Sequence, residues 1–543
     1  VTRPVRIANC SGFYGDRLSA PKEMLDGGPI DFLTGDYLAE LTLMILWKAR
    51  RKDPGAGYAA TFLRQMEHVL GDAKDRGVRI VTNAGGLHPA GLAERLRALA
   101  DRLGIDVRIA HIEGDQLEIP GAVTANAYLG SWGIVAALDR GADVVIAPRV
   151  TDAALTVGPA AHWHGWTRTD WDRLAGATVA GHVIECGAQA TGGNYPFLEE
   201  LGDMRHPGFP IAEVDADGGA VITKHPGHGG TVSVGTVTAQ LLYEIAGARY
   251  PTPDVIARFD TIALAADGED RVRIGGVRGE PSPAQTKVCV NVHGGYRNTL
   301  TFGLVGLDVE AKAQLVEAAL RPRVRAEVLE FDLLVNPDGY SFLRVTAMDP
   351  DPRRVGRAFS AACVELALSS YAGLFALAPP GGETEYAIYR PEYVPADTVH
   401  EVVVLPDGER LAIPQTRGGS AAPVTPPEAV WTAPAGPTRA VPLGRVAGAR
   451  SGDKGGDANC GVWGRTDAAY AWLRDFLTVE RFQQLIPSDA ERHELPNLRA
   501  LNFVLKGYLG AGVAANTRLD GQVKALGEQL RAKVVEVPVA LLP

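Results

Sequence analysis

The sequence predicts an α/β protein. A mostly parallel, Rossmann-like sheet body is extended by a mixed α/β lobe, and a small α+β unit follows at the C-terminus. Short, unbroken apolar runs alternate with longer helical patterns through the first 180 residues, as expected of parallel strands buried on both faces. Several of these runs end in polar or glycine-rich turns. A proline-rich stretch then sets the last hundred or so residues apart from the rest.

Strands are expected at residues 5–8, 30–33, 78–82, 107–112 and 144–147, where β-branched and aliphatic side chains cluster. The segments 37–48, 58–76, 89–103 and 131–140 carry apolar residues at helical spacing. The turns at Asn9 to Gly12, Gly35 and Asp36, Asn83 to Gly86, and Arg149 to Asp152 follow four of the strands. In an open α/β sheet ligands bind beyond the carboxyl ends of the strands, so these turns are expected to line one crevice. The domain reading places an α/β domain at 1–180 and its mixed continuation at 181–412. In the latter, 232–243 reads as a helix, 271–274 and 287–292 as strands, and 311–320 as a helix.

Between residues 414 and 442 there are seven prolines among many Ala, Thr and Gly, well above the ~5% average. The region 413–442 therefore reads as a linker that cannot build a core. Beyond it, 443–543 forms a compact unit. It has two strands flanking residues 450–459, a helix at 468–484, a strand at 498–505, a helix at 522–533 and a last strand at 534–537. This order suits a small two-layer α+β sandwich.

Composition excludes several classes. A net charge of −10 without a block of Lys or Arg argues against nucleic-acid binding. No apolar run reaches the ~20 residues that span a bilayer, and no signal-peptide pattern opens the chain. Five scattered cysteines without a C-x-x-C pair point to a reduced, cytoplasmic protein with neither a disulfide framework nor a structural zinc site. Neither a P-loop nor a complete G-x-G-x-x-G after a strand is present, so ATP and NAD folds gain no support. No cofactor is required on this reading.

The richest stretch is Arg450 to Asn459 (RSGDKGGDAN), in which Arg450, Asp453, Lys454, Asp457 and Asn459 sit among three glycines. It reads equally as a functional loop and as a hairpin turn. The segment Glu185 to Asn194 brings a carboxylate, the thiol of Cys186 and the amides of Gln189 and Asn194 into a glycine-rich run, a pattern suited to proton transfer. A buried, inert state is the expectation for Cys186. Asp152 follows a strand and reads either as a base or as the N-cap of the next helix. Asn9, Ser11, Gly12, Asn83, Gly85 and Gly86 end strands, where exposed N–H groups hold anions or simply make turns. His225 and His228 are closely spaced, but Pro and Gly lie between them and no further ligand is paired by spacing. A metal is not expected there.

The runs Ile7 to Phe13 (IANCSGF), Gly35 to Glu40 (GDYLAE), Thr82 to Leu87 (TNAGGL), Gly181 to Gln189 (GHVIECGAQ), Arg450 to Asn459 and Glu494 to Asn502 (ELPNLRALN) resemble, in order and over nearly the whole chain, the AtuA family of acyclic terpene utilisation. The resemblance implies a ferredoxin-like fold for the C-terminal unit. It also implies breakdown of branched acids, an association by family rather than by chemistry. The leading expectation is a homo-oligomeric hydratase/lyase acting on a small-molecule substrate, an acyl-CoA thioester in which coenzyme A is part of the substrate. Glu185 or Asp152 would be its general base, with Asp453 and Asp457 as further acid–base candidates. Asn9, Ser11, Gly12, Asn83, Gly85, Gly86, Gln189, Asn194, Arg450, Lys454 and Asn459 would bind substrate. A thioester hydrolase, metal-assisted or not, and a non-catalytic subunit of an acyl-CoA carboxylase-type complex are the alternatives.

Overall fold

In the computed structural model, which describes residues 3–415, 418 and 431–542, an 11-stranded sheet forms the body. Its centre is parallel. Val5–Asn9 pairs with Phe32–Gly35, then come Arg79–Thr82, Val144–Ile146 and Ile109–Glu113 in spatial order. The strand Phe32–Gly35 is buried at every position, as is Val144–Ile146, which is why their sequences show runs rather than alternation. The covering helices follow the periodicity of their apolar residues. Ala60–Asp75 buries Phe62, Met66, Val69, Leu70 and Ala73, a single stripe at helical spacing. Pro89–Leu103 starts with proline in its first turn and ends on Gly104 at φ 70°, the expected stop signals.

Both edges of the sheet are antiparallel and come from later in the chain. Pro210–Val214, Ala220–Lys224, Arg271–Gly275 and Ala263–Ala266 extend one side, and Val402–Val404 with Arg410–Ala412 extends the other. The expected boundary at 180 is therefore wrong, since it cuts the helix Trp171–Ile184, of which eleven residues are buried. The mixed lobe is built on the 20-residue strand Gln285–Leu304. That strand pairs with Ser341–Asp349 and Thr384–Pro395 and reaches back to Ala122–Ala127 of the body.

The C-terminal unit has a four-stranded antiparallel sheet, Ala447–Lys454, Asp457–Gly464, Ala500–Leu505 and Ala490–Leu495. The helices Asp467–Phe476, Val479–Leu485 and Leu526–Arg531 pack on it. The α/β class and the ferredoxin-like domain are as expected. Part of the linker, at 416–417 and 419–430, lies outside the described residues. Its end differs from expectation, because Thr438–Pro442 is a strand paired with Val534–Pro538. Residues 450–459 are not a loop either. The two strands run through them and leave only Gly455 and Gly456 as the tip.

Candidate functional site

The four strand-end turns meet. The Asn83 side chain donates to Asp36 Oδ1 at 2.6 Å and accepts the Tyr37 N–H at 2.8 Å. Ser11 Oγ donates to the Asp36 carbonyl at 2.9 Å. Arg149, fully buried, donates to the Leu38 carbonyl and to Asp152 Oδ1, both at 2.8 Å. Burial, reinforced by Asp152, raises the Asp36 carboxyl well above the usual range, against the opposing pull of Arg149 and Asn83.

The C-terminus of helix Trp171–Ile184 points at the same place. Asn9 Nδ2 donates to the Glu185 carbonyl at 2.9 Å, satisfying one of the orphan carbonyls at the helix end. Gly12 packs on Cys186 so closely that a Cβ would lie 2.5 Å from its carbonyl carbon. The Glu185 side chain is nearly buried, with Oε1 3.2 Å from His182 Nδ1 and Oε2 without a partner. Burial, then Asp152 and Glu244, push its carboxyl well up, with Lys454 and Arg149 opposing. His182 goes the other way, down to about 4, through burial and the nearby Lys454 charge.

The C-terminal hairpin closes the third side. Asn459 is fully buried. It accepts the Glu244 N–H at 2.9 Å and donates to the Leu242 carbonyl at 2.7 Å and to Asn502 Oδ1 at 2.9 Å. Lys454 Nζ donates to the Glu244 carbonyl at 2.6 Å, and burial, then Lys287, lowers its pKa. Glu244 sits at φ 58°, an uncommon state for a non-glycine residue. Arg450 lies 4.2 Å over the Tyr243 ring and bonds Gln189 Oε1. Lys524 bonds the Tyr243 hydroxyl and lies 3.8 Å from Glu244 and 4.0 Å from Asp453. Burial and Glu244 push the Asp453 carboxyl up to about 7. Opposite, Glu40 is half-buried, which raises its carboxyl. Yet Lys287 at 3.9 Å and Arg149, with the Tyr128 hydroxyl at 2.9 Å, hold it down to about 2. Carboxyl groups pushed apart in one place are the usual arrangement of an acid–base site.

Of the residues expected from sequence, Glu185, Asp152, Asp453, Gln189, Arg450 and Lys454 are brought to this junction. Asn9, Ser11, Gly12, Asn83 and Asn459 support it, their polar groups spent on backbone and on the side chains of Asp16, Asp36 and Asn502. Three expectations fail. Asp457 faces away, accepting the Gly507 N–H at 2.8 Å with Lys506 at 3.4 Å, so it ties the hairpin tip to the turn at 506–507. Asn194 is exposed at φ 60°, a turn residue of the kind that tolerates this conformation. Gly85 and Gly86 cannot offer N–H groups to an anion, since these donate to the Ala147 and Asn83 carbonyls at 3.1 and 3.2 Å. Asp152 is not an N-cap, because the next helix starts from Ala153.

The Cys186 thiol is pushed well up by burial and by Glu185, so it is no thiolate nucleophile. His225 Nε2 contacts the Met24 carbonyl at 2.9 Å. Among the described residues no group of three or more His, Cys, Asp or Glu is arranged to hold a metal ion. His182, Tyr243, Glu244, Lys287 and Lys524 escaped the sequence reading. Asp36 and Glu40 stood in plain view, in the turn and the motif at 35–40.

The profile of the acyclic terpene utilisation family protein AtuA matches residues 5–120 and 117–405, and that of the AtuA ferredoxin-like domain matches 441–536. A search of curated proteins found no match. With the body and the C-terminal domain both covered, the chain belongs to the AtuA family of acyclic terpene utilisation.

Proposed function

We propose that the protein is an enzyme of branched or unsaturated carboxylic acid metabolism, a hydratase/lyase that acts on an acyl thioester by moving a proton next to the carbonyl. The observation that carries this reading is Glu185, a nearly buried carboxyl held toward its protonated form beside Asp152, which is ion-paired with Arg149. In hydration, Asp152 takes a proton from water as the hydroxyl oxygen bonds to the β-carbon. The electron pair of the double bond moves to form an enolate, and Glu185 delivers a proton to the α-carbon. Lys454 and Arg450 supply positive charge for the enolate oxygen. The reverse sequence eliminates water. Thioester hydrolysis through Cys186 gains nothing from a thiol pushed toward its neutral form. Self-association belongs to the same proposal. Leu307, Leu368 and Leu377 of the mixed lobe are exposed, and light scattering on the purified protein tests whether copies cover them.

The deciding experiment offers branched, unsaturated acyl-CoA thioesters in heavy water and follows addition of water and of deuterium at the α-carbon by mass spectrometry. Glu185→Gln is expected to lose about 10²- to 10⁴-fold in turnover while keeping its melting temperature. Full activity in that variant, or no conversion of any member of the panel by wild type, would overturn the reading.

A further inference from the structure

A cavity of about 520 Å³ opens between helix Glu40–Lys52 and strand Ala122–Ala127, a size typical of small-molecule sites. Both elements also reach the carboxylate junction. Glu40 begins the helix, and Trp47 and Arg50 line the cavity from its later turns, Trp47 about 10 Å along the axis from Glu40. Asn126 lines the cavity from the strand, and Tyr128, which bonds Glu40, follows about 7 Å on.

The lining is mixed and specific. Trp47 borders the cavity and has the Arg51 guanidinium 4.7 Å over its ring. Arg50 spends one Nη1 donor on the Leu87 carbonyl at 3.0 Å. Its Nη2 has no protein acceptor among the described residues, and the side chain is exposed at the rim. Asn126 is fully buried. Its Nδ2 donates to Asp115 at 2.7 Å, and its Oδ1 has no partner. The cavity therefore presents an aromatic side chain and a fork of cationic donors.

We infer that this cavity is a second subsite, which holds the part of an acyl thioester remote from its reactive carbon: a carrier arm that ends in an aromatic base and a phosphate. The inference rests on the proposed reaction only for the identity of the reacting end. The Trp47 ring stacks the base, and Arg50 forks onto the phosphate. Glu118, also at the rim, opposes the phosphate charge.

The test is a direct binding measurement with free coenzyme A, which has no acyl group to react, by titration calorimetry on the full chain. Wild type is expected to bind it. Arg50→Ala and Trp47→Ala should each weaken binding about tenfold or more, Glu118→Gln should tighten it, and Glu185→Gln should leave it unchanged. The exposed Arg50 and Glu118 variants keep the test sound if the Trp47 variant folds poorly. No binding to wild type at millimolar coenzyme A overturns the inference. Binding that ignores both the Arg50 and the Glu118 changes overturns it as well. If this pattern is seen and no acyl thioester is turned over, the subsite stands and the proposed reaction falls.

Discussion

Asn459→Ala tests the docking of the C-terminal domain most directly. The side chain is fully buried and makes three hydrogen bonds, two of them to residues 242–244 of the body. Truncation removes about 1 kcal/mol of net stabilisation per bond, and it strands the Glu244 N–H and the Leu242 carbonyl at about 1–3 kcal/mol each. With some repair by water, the junction should lose about 3–5 kcal/mol. The domain's own core, in which Phe482 stacks on Phe503 at 4.1 Å, is untouched. The effect should therefore appear as local opening rather than as early global melting. Native-state hydrogen exchange reads it. The amides of residues 242–246 should exchange about 100-fold faster or more, at one decade per ~1.4 kcal/mol. Asn502→Ala, which frees the Ile245 and Ala246 carbonyls, should act less than additively with it, because the two amides bond each other. Unchanged protection at 242–246 in a folded Asn459→Ala protein would refute the claim that this amide holds the hairpin against the body.

Asp453→Asn should flatten the pH dependence of stability. The unfolded chain loses this proton near its ordinary value of 3.8 and the folded protein only at about 7. Wild-type stability should thus fall between those values as pH rises, by at most about 4 kcal/mol from this group, and denaturant titrations across that range check it. Gly12→Ala places a Cβ 2.5 Å from the Cys186 carbonyl carbon, with backbone on both sides. It should cost about 1–3 kcal/mol and lower turnover by shifting Glu185, and a variant with normal melting and normal turnover would contradict that packing. Cys186→Ser should keep its turnover, as a thiol without thiolate character has no nucleophilic part to lose, and a strong loss in the same assay would reinstate it.

The parallel strands were legible because burial on both faces leaves apolar runs in the chain, and the turns after them were legible because their polar residues are local. The hairpin was legible only as one of two readings. Three glycines in ten residues read equally as a functional loop and as a hairpin turn, yet two of the strand glycines around it are packing requirements set from far away. A Cβ at Gly452 would lie 2.3 Å from the Tyr243 ring, and one at Gly461 would lie 2.5 Å from Leu242 Cβ. Nothing local distinguishes a glycine that permits a turn from one that admits a neighbouring side chain. Glu244 was invisible for a related reason. Its positive φ has no signal in its own neighbourhood, and the groups that bond its N–H and carbonyl, Asn459 and Lys454, are more than 200 residues away. The charges that shift Glu185 come from both sides of this contact, Asp152 from the sheet and Lys454 from the hairpin. The body raises this carboxyl through burial, Asp152 and Glu244, and the hairpin's Lys454 opposes the raise. A substitution that carries Lys454 away from the junction should therefore push the Glu185 pKa further up, which a pH profile of turnover reads.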